Sequence, residues 1–232
     1  MLTVRKAEDR GHADHGWLKS DHSFSFGNYF DPRHMGLSNL RVINDDRVAP
    51  GGGFPTHGHR DMEIISYVLE GALEHQDSMG NGSVIRPGDV QRMSAGTGVT
   101  HSEYNHSANA PVHFLQIWLQ PNALGVEPRY DQKHFPIDER RGRWVALVSP
   151  DGRDGSIATH QDARLFGTLL APEATLDYRF NTGRQGYLHL ARGRLRVGDI
   201  TLSEGDGLRV QQQERLALVG LDEAEVLLFD LP

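Results

Sequence analysis

Glycine-centred turn signals divide the first half of this chain at short intervals: Pro50-Gly51-Gly52-Gly53, Glu70-Gly71, Met79-Gly80-Asn81-Gly82, Pro87-Gly88-Asp89 and Ala95-Gly96-Thr97-Gly98. Between them lie apolar runs such as Met62-Glu63-Ile64-Ile65-Ser66-Tyr67-Val68-Leu69. An earlier run is Leu40-Arg41-Val42-Ile43-Asn44, and a later one, His113-Phe114-Leu115-Gln116-Ile117-Trp118-Leu119, alternates. Regular strand-turn spacing of this kind predicts an all-β antiparallel sandwich or barrel. The 26 glycines and 11 prolines, with 38% hydrophobic residues, describe a turn-rich globular chain rather than a disordered one.

At 232 residues the chain accommodates one large domain or two of roughly a hundred residues each. The segment from Pro121 to about Arg143, rich in Pro and charge, reads as a loop and as the best boundary. The expected domains are therefore 1–130 and 131–232. Met1 to about Pro50, with Trp17, Phe24, Phe26, Tyr29 and Phe30 among polar residues, reads as a segment that wraps a sheet rather than folding alone.

A weak internal repeat supports two related halves. Tyr67-Val68-Leu69-Glu70-Gly71 followed by Gly88-Asp89 is echoed by Leu188-His189-Leu190-Ala191-Arg192-Gly193 followed by Gly205-Asp206. No histidine follows His189. If the halves are duplicates, only the first retains metal-ligating side chains.

Two tripeptides in that first half, His57-Gly58-His59 and His101-Ser102-Glu103, carry the chemistry. Residues at i and i+2 of a strand point to the same face, so two such strands side by side bring three imidazoles and one carboxylate together. Nitrogen and oxygen donors of this type suit iron, nickel, copper, manganese or zinc and leave positions open for a substrate. Zero cysteines exclude disulfides and thiolate ligands. Glu63 competes with Glu103 for the carboxylate role. On a straight strand it lies roughly 13 Å beyond His59, at about 3.3 Å per residue. Glu103 is the expected ligand, and Glu63 is expected to orient a histidine. His12, His15 and His22 read as hydrogen-bonding residues of the wrapping segment rather than a second metal site. His75, His106 and His113 read as surface or core strand residues. Phe54, Met62 and Phe114 are expected to line the cavity.

The two motifs, Gly53-Phe54-Pro55-Thr56-His57-Gly58-His59 with Glu63 and Gly71, and Pro87-Gly88-Asp89 with Gly96 and His101-Ser102-Glu103, resemble those of the cupin superfamily. A closer resemblance covers nearly the whole chain. Arg10-Gly11-His12-Ala13-Asp14-His15-Gly16-Trp17, His22-Ser23-Phe24-Ser25-Phe26, Arg41-Val42-Ile43-Asn44-Asp45-Asp46 and Ser94-Ala95-Gly96-Thr97-Gly98 look like the bacterial branch of the pirin family. That branch includes quercetin 2,3-dioxygenases. The resemblance implies a bicupin, two jelly-roll β-barrel domains packed together, with one metal, usually iron, held by His57, His59, His101 and Glu103. The implied activity is opening of the flavonol heterocycle with dioxygen, with Glu103 as base as well as ligand. The alternatives are a metal-binding regulatory protein acting through a protein partner, as for eukaryotic pirins, and a metal-dependent isomerase or decarboxylase.

A net charge of −7 and a pI near 6.0 argue against a surface built to neutralise phosphates. No apolar run long enough to span a bilayer occurs, and Met1-Leu2-Thr3-Val4-Arg5-Lys6 lacks the apolar core of a secretory signal. The expected partners are a small aromatic substrate and dioxygen, with neither nucleic acid nor membrane, and the expected location is the cytoplasm.

Overall fold

The computed structural model describes residues 1–232. Its first twelve strands are β1 (Leu2–Arg5), β2 (Gly11–Asp14), β3 (Leu18–His22), β4 (Leu40–Val48), β5 (Gly53–His59), β6 (Glu63–Glu70), β7 (Leu73–Asp77), β8 (Gly82–Ile85), β9 (Asp89–Ser94), β10 (Val99–Asn105), β11 (Val112–Leu119) and β12 (Arg129–His134). Ten more follow: β13 (Val145–Ser149), β14 (Ile157–Ala158), β15 (Arg164–Leu170), β16 (Thr175–Arg179), β17 (Gln185–Arg192), β18 (Arg194–Val197), β19 (Ile200–Ser203), β20 (Gly207–Val210), β21 (Arg215–Gly220) and β22 (Ala224–Leu231). Three short 3-10 turns, Ala7–Asp9, Ile137–Arg140 and Arg153–Gly155, are the helical content.

The chain divides into two compact units. One comprises Gly11–His134 with Thr159–Gln161; the other comprises Met1–Arg10, Phe135–Ala158 and Asp162–Pro232. The first contains a seven-stranded sheet, β12-β9-β6-β11-β4-β3-β2, and a four-stranded sheet, β5-β10-β7-β8. The second contains β1-β20-β17-β22-β15-β13-β14 and β16-β21-β18-β19. Strands β4 to β11 pair in the same pattern as β15 to β22, so each unit is a jelly roll. The opening strand β1 belongs to the second unit, where Leu2–Arg5 pairs with Val210–Gly207 of β20.

The repeat is visible in the backbone. Gly71 after β6 and Gly193 after β17 both adopt positive φ, +76° and +80°. A Cβ on Gly71 would lie 2.6 Å from the Pro111 carbonyl oxygen, and one on Gly193 would lie 2.2 Å from that of Glu223. Both turns therefore require glycine for conformation and for space.

The interiors differ. Leu188, Leu190, Leu195, Leu202, Leu216, Leu218 and Leu228 fill the second unit, each contributing about 2 kcal/mol of burial. In the first unit the apolar residues form separate clusters, one around Val68, Leu73, Ile85 and Phe114 and another around Ile64, Met93 and Val99. Space between the sheets is left for a cavity. Strand β10 shows why its polar residues face inward. Its burial alternates, with Val99, His101, Glu103 and Asn105 buried and Thr100 and Tyr104 exposed.

Within the expected loop at 121–143 lies β12, whose sequence Arg-Tyr-Asp-Gln-Lys-His lacks an apolar face. It is a sheet-edge strand held by the β9 backbone, Arg129 opposite Ser94 through to His134 opposite Asp89. An edge strand of this kind needs no buried side chains to pair.

Replacing Gly193 with Val should destabilise the fold by several kcal/mol, on the order of 3, because strain and a backbone clash combine. The same change at Gly16, also at positive φ but with nothing within 4 Å of a Cβ, should cost about 1–2 kcal/mol. Urea unfolding of the two variants measures the difference.

Candidate metal centre and its cavity

Strands β5 and β10 pair antiparallel with His57 opposite His101 and His59 opposite Val99. The register then shifts: Glu103 lies opposite Phe54, so β5 carries one extra residue between the paired positions. This bulge contains Pro55, which has no N–H to contribute to a ladder. Its carbonyl accepts a hydrogen bond from His57 Nδ1 at 2.9 Å. Gly53 permits the close approach, since a Cβ there would lie 2.5 Å from the Glu103 carbonyl oxygen.

The four expected residues fall in two overlapping groups that share His101: His57, His59 and His101 form one, and Glu103 joins His101 in the other with His75 rather than with His57 and His59. Within each group the candidate donor atoms all lie within 4.8 Å of one another. His101 Nε2 is 3.1 Å from His57 Nε2. Two nitrogens about 2.1 Å from a shared ion at right angles are separated by about 3.0 Å, so the spacing fits a metal.

The hydrogen bonds decide which nitrogens are free to bind one. His57 Nδ1 donates to a carbonyl oxygen, which leaves Nε2 as the nitrogen available to a metal. For His101 the decision comes from a relay. Asp77 accepts from the backbone N–H groups of Met79 and Asn81 and from the Asn81 side chain. Against the upward push of burial, the bonds from His75 and Asn81 hold its carboxyl below the usual carboxylate range. An ionised Asp77 only accepts, so His75 Nε2, 3.0 Å from it, carries the proton. Burial pushes the His75 pKa down, so the ring is neutral and its Nδ1 accepts. That atom lies 3.4 Å from His101 Nδ1, which therefore donates and leaves Nε2 for the metal. Tyr130 stacks on His75, with ring centroids 4.8 Å apart.

Burial also lowers His59 to about 4 and His101 to about 3, with charge repulsion from His57 adding to both. Glu103 moves the opposite way: burial raises it to about 7 although Ser66 Oγ donates to it at 3.2 Å and Gln116 Nε2 at 2.8 Å. Both carboxylate oxygens thus accept one hydrogen bond and retain lone pairs for a cation.

A cavity of about 620 Å³ opens from His57, His59 and Glu103. Trp17, Phe54, Phe26, Tyr29 and Trp118 form its aromatic walls. Trp118 meets His59 edge-on at 5.1 Å and Phe26 at 5.4 Å, while Trp17 meets Phe54 at 5.1 Å. Of the three apolar residues expected there, only Phe54 lines the cavity. Phe114 belongs to the apolar cluster with Val68, and Met62 packs on the one with Ile64 and Met93.

Glu63 does not orient an imidazole. Its carboxylate accepts from Ser94 Oγ at 2.9 Å, Thr159 Oγ1 at 2.7 Å and the His160 backbone N–H at 3.4 Å. It fastens the Thr159–Gln161 segment to β6 and β9. His75, expected as a surface or core strand residue, is a fully buried residue of β7, and its contact with His101 is a role the sequence did not signal. In the amino-terminal segment, His12 bonds Asp21 at 2.8 Å and His22 bonds Asn44 at 2.8 Å. Both, with His15, border the cavity.

Two jelly rolls, one with a histidine-lined cavity and one filled by leucine, define a double cupin. The chain belongs to the pirin family: the family model described as Pirin matches residues 3–119, and the one described as the quercetinase C-terminal cupin domain matches residues 146–231. Quercetin 2,3-dioxygenase of Escherichia coli strain K12 is 47% identical over 100% of this chain and 99% of that protein. A pirin-like protein of Caulobacter vibrioides is 42% identical over 99% of each. The crystal structure of bacterial pirin YhhW from Escherichia coli in complex with nickel(II) aligns with a TM-score of 0.95 at 45% identity, covering 100% of this chain and 99% of that one.

The relay makes a spectroscopic expectation. In metal-free protein at pH 7, histidine ¹⁵N NMR should show His75 as the Nε2–H tautomer and His101 as the Nδ1–H tautomer. On acidification His59 should stay neutral to about pH 4 and His101 to about pH 3. A charged His101 at pH 5 would contradict the geometry.

Proposed function

We propose that this protein is a metal-dependent dioxygenase that opens the heterocycle of flavonols such as quercetin. Its centre holds one divalent transition ion through His57, His59, His101 and Glu103. The observation that carries this reading is the convergence of oriented imidazole nitrogens and a buried carboxyl at the end of an aromatic cavity. The relatives that share the whole chain support the substrate class, since the 47%-identical Escherichia coli protein bears the name of this activity. Iron is the ion proposed; nickel, copper, manganese and zinc also accept the donor set.

When bound, the metal supplies Lewis acidity and the one-electron chemistry that dioxygen requires. The protein's own residues do the rest. The aromatic walls hold a planar ring system and exclude water. Glu103, held as a carboxylate beside the ion, would take the proton of an acidic substrate hydroxyl placed within about 3 Å. Ser66 and Gln116 fix the direction of that carboxylate. Asp77 and His75 keep His101 in the ligating tautomer.

Oxygen consumption with quercetin, measured on protein whose metal content is known, tests the reading. His57→Ala and His101→Ala should abolish both metal retention and uptake. Glu103→Gln should lower turnover roughly 10²- to 10⁴-fold. Fully iron-loaded protein inert toward a panel of flavonols would sink the assignment and favour a regulatory role through a protein partner.

Metal affinity should also depend on pH in a defined direction. Proton and metal compete for Glu103, which in the metal-free protein titrates around about 7. Through this group, apparent affinity should fall roughly tenfold per pH unit below that value and level off above it. Competition titrations with a chelator measure the slope, and Glu103→Gln should remove this component.

A further inference from the structure

One wall of the cavity is polar and supplies none of the candidate metal ligands. On β3 and β4, Ser20 pairs with Asp46 and His22 with Asn44 as direct cross-strand neighbours. All four are buried and border the cavity. Ser20 Oγ donates to Asp46, and Oγ also lies 3.3 Å from His22 Nδ1. His22 Nδ1 lies 2.8 Å from Asn44 Oδ1, so it carries the proton. The patch continues onto β11, where Gln116 is the register partner of Asn44. Gln116 turns its amide nitrogen to Glu103, and its Oε1 is buried with no partner. Two residues on, the Trp118 indole N–H is likewise buried and unpartnered. Both residues border the cavity.

A buried acceptor and a buried donor left open on one strand face are costly, about 1–3 kcal/mol each. They suit a group that both donates and accepts, as a hydroxyl does. Burial raises the Asp46 carboxyl to about 7, so near neutral pH it is also able to serve in either sense. The aromatic side chains around this patch fit the faces of flat rings and offer their edges to the polar wall.

We propose that Ser20, His22, Asn44 and Asp46, continued by Gln116, form a hydroxyl-recognition subsite beside the metal centre, which selects planar aromatic ligands hydroxylated away from the edge that meets Glu103. This rests on the flavonol reading and narrows it: the preferred ligands are polyhydroxylated, not merely flavonol in skeleton. A site built to bond a substrate hydroxyl rejects the analogue lacking it far more strongly than an apolar pocket does.

The test uses zinc-loaded protein, in which the ion is redox-inert and binding is separated from turnover. Calorimetric titration compares quercetin with 3-hydroxyflavone, which keeps the hydroxyl and ketone of the shared edge but lacks the remaining hydroxyls. Wild-type protein should bind quercetin at least roughly tenfold more tightly. Ser20→Ala and Asp46→Ala should each shrink that ratio several-fold while the 3-hydroxyflavone Kd stays within about twofold. Circular dichroism melting checks folding, and the near-isosteric Asp46→Asn replaces Asp46→Ala if the latter is unstable; it too should reduce the ratio. A ratio unchanged in every folded variant, or equal weakening of both ligands, overturns the subsite and leaves the flavonol reading standing. Wild-type protein that binds neither flavonol overturns both.

Discussion

The antiparallel pairing of β5 with β10, in the register that sets His57 opposite His101, is the interaction on which the site depends. Strand geometry alone puts each i, i+2 pair on one face. Pairing in this register then brings the His57 and His101 Nε2 atoms to 3.1 Å. A slip of one residue would turn either strand's histidines to the opposite face. The bulge at Pro55 adds what a straight ladder lacks, a carbonyl positioned to fix the His57 tautomer.

Duplication explains how such a centre is afforded within a stable chain. The same strand order encloses leucine in one unit and a cavity with buried imidazoles and carboxyls in the other. At the places of β5 and β10 the second unit has β16 and β21, whose inward residues Leu176, Leu216 and Leu218 join the apolar core. Leucine there contributes burial energy without any need for partners. Buried histidine and glutamate in the first unit need hydrogen bonds on atoms not reserved for a ligand, and neighbouring residues provide them for His75, His101 and Glu103.

That requirement ties remote parts of the first unit to the centre. Asp77 and His75 on β7 set the proton position on His101, and Ser66 on β6 with Gln116 on β11 hold Glu103. The polar wall of β3 and β4 joins the same row of cross-strand neighbours through Asn44 and Gln116. Glu63, by contrast, serves structure: it is spent on Ser94, Thr159 and the His160 backbone.

The sequence by itself determined the class of fold, the duplicated halves and the donor tripeptides, because turn spacing and period-two patterning are local properties of a chain. Gly71 and Gly193 were legible for the same reason, each ending an apolar strand where the backbone must turn to positive φ. The sequence read β12 as loop, because it pairs at an edge without an apolar face, and it misplaced Met62, Phe114 and Glu63. Only the tertiary structure decided those. Whether a side chain enters a cavity, a core or a hydrogen-bond relay depends on which strands lie beside or opposite it, and in a jelly roll those neighbours come from distant parts of the chain: Glu103 meets Ser66 from one sheet to the other, and Ser20 meets Asp46 through strand pairing, neither of which a local pattern encodes.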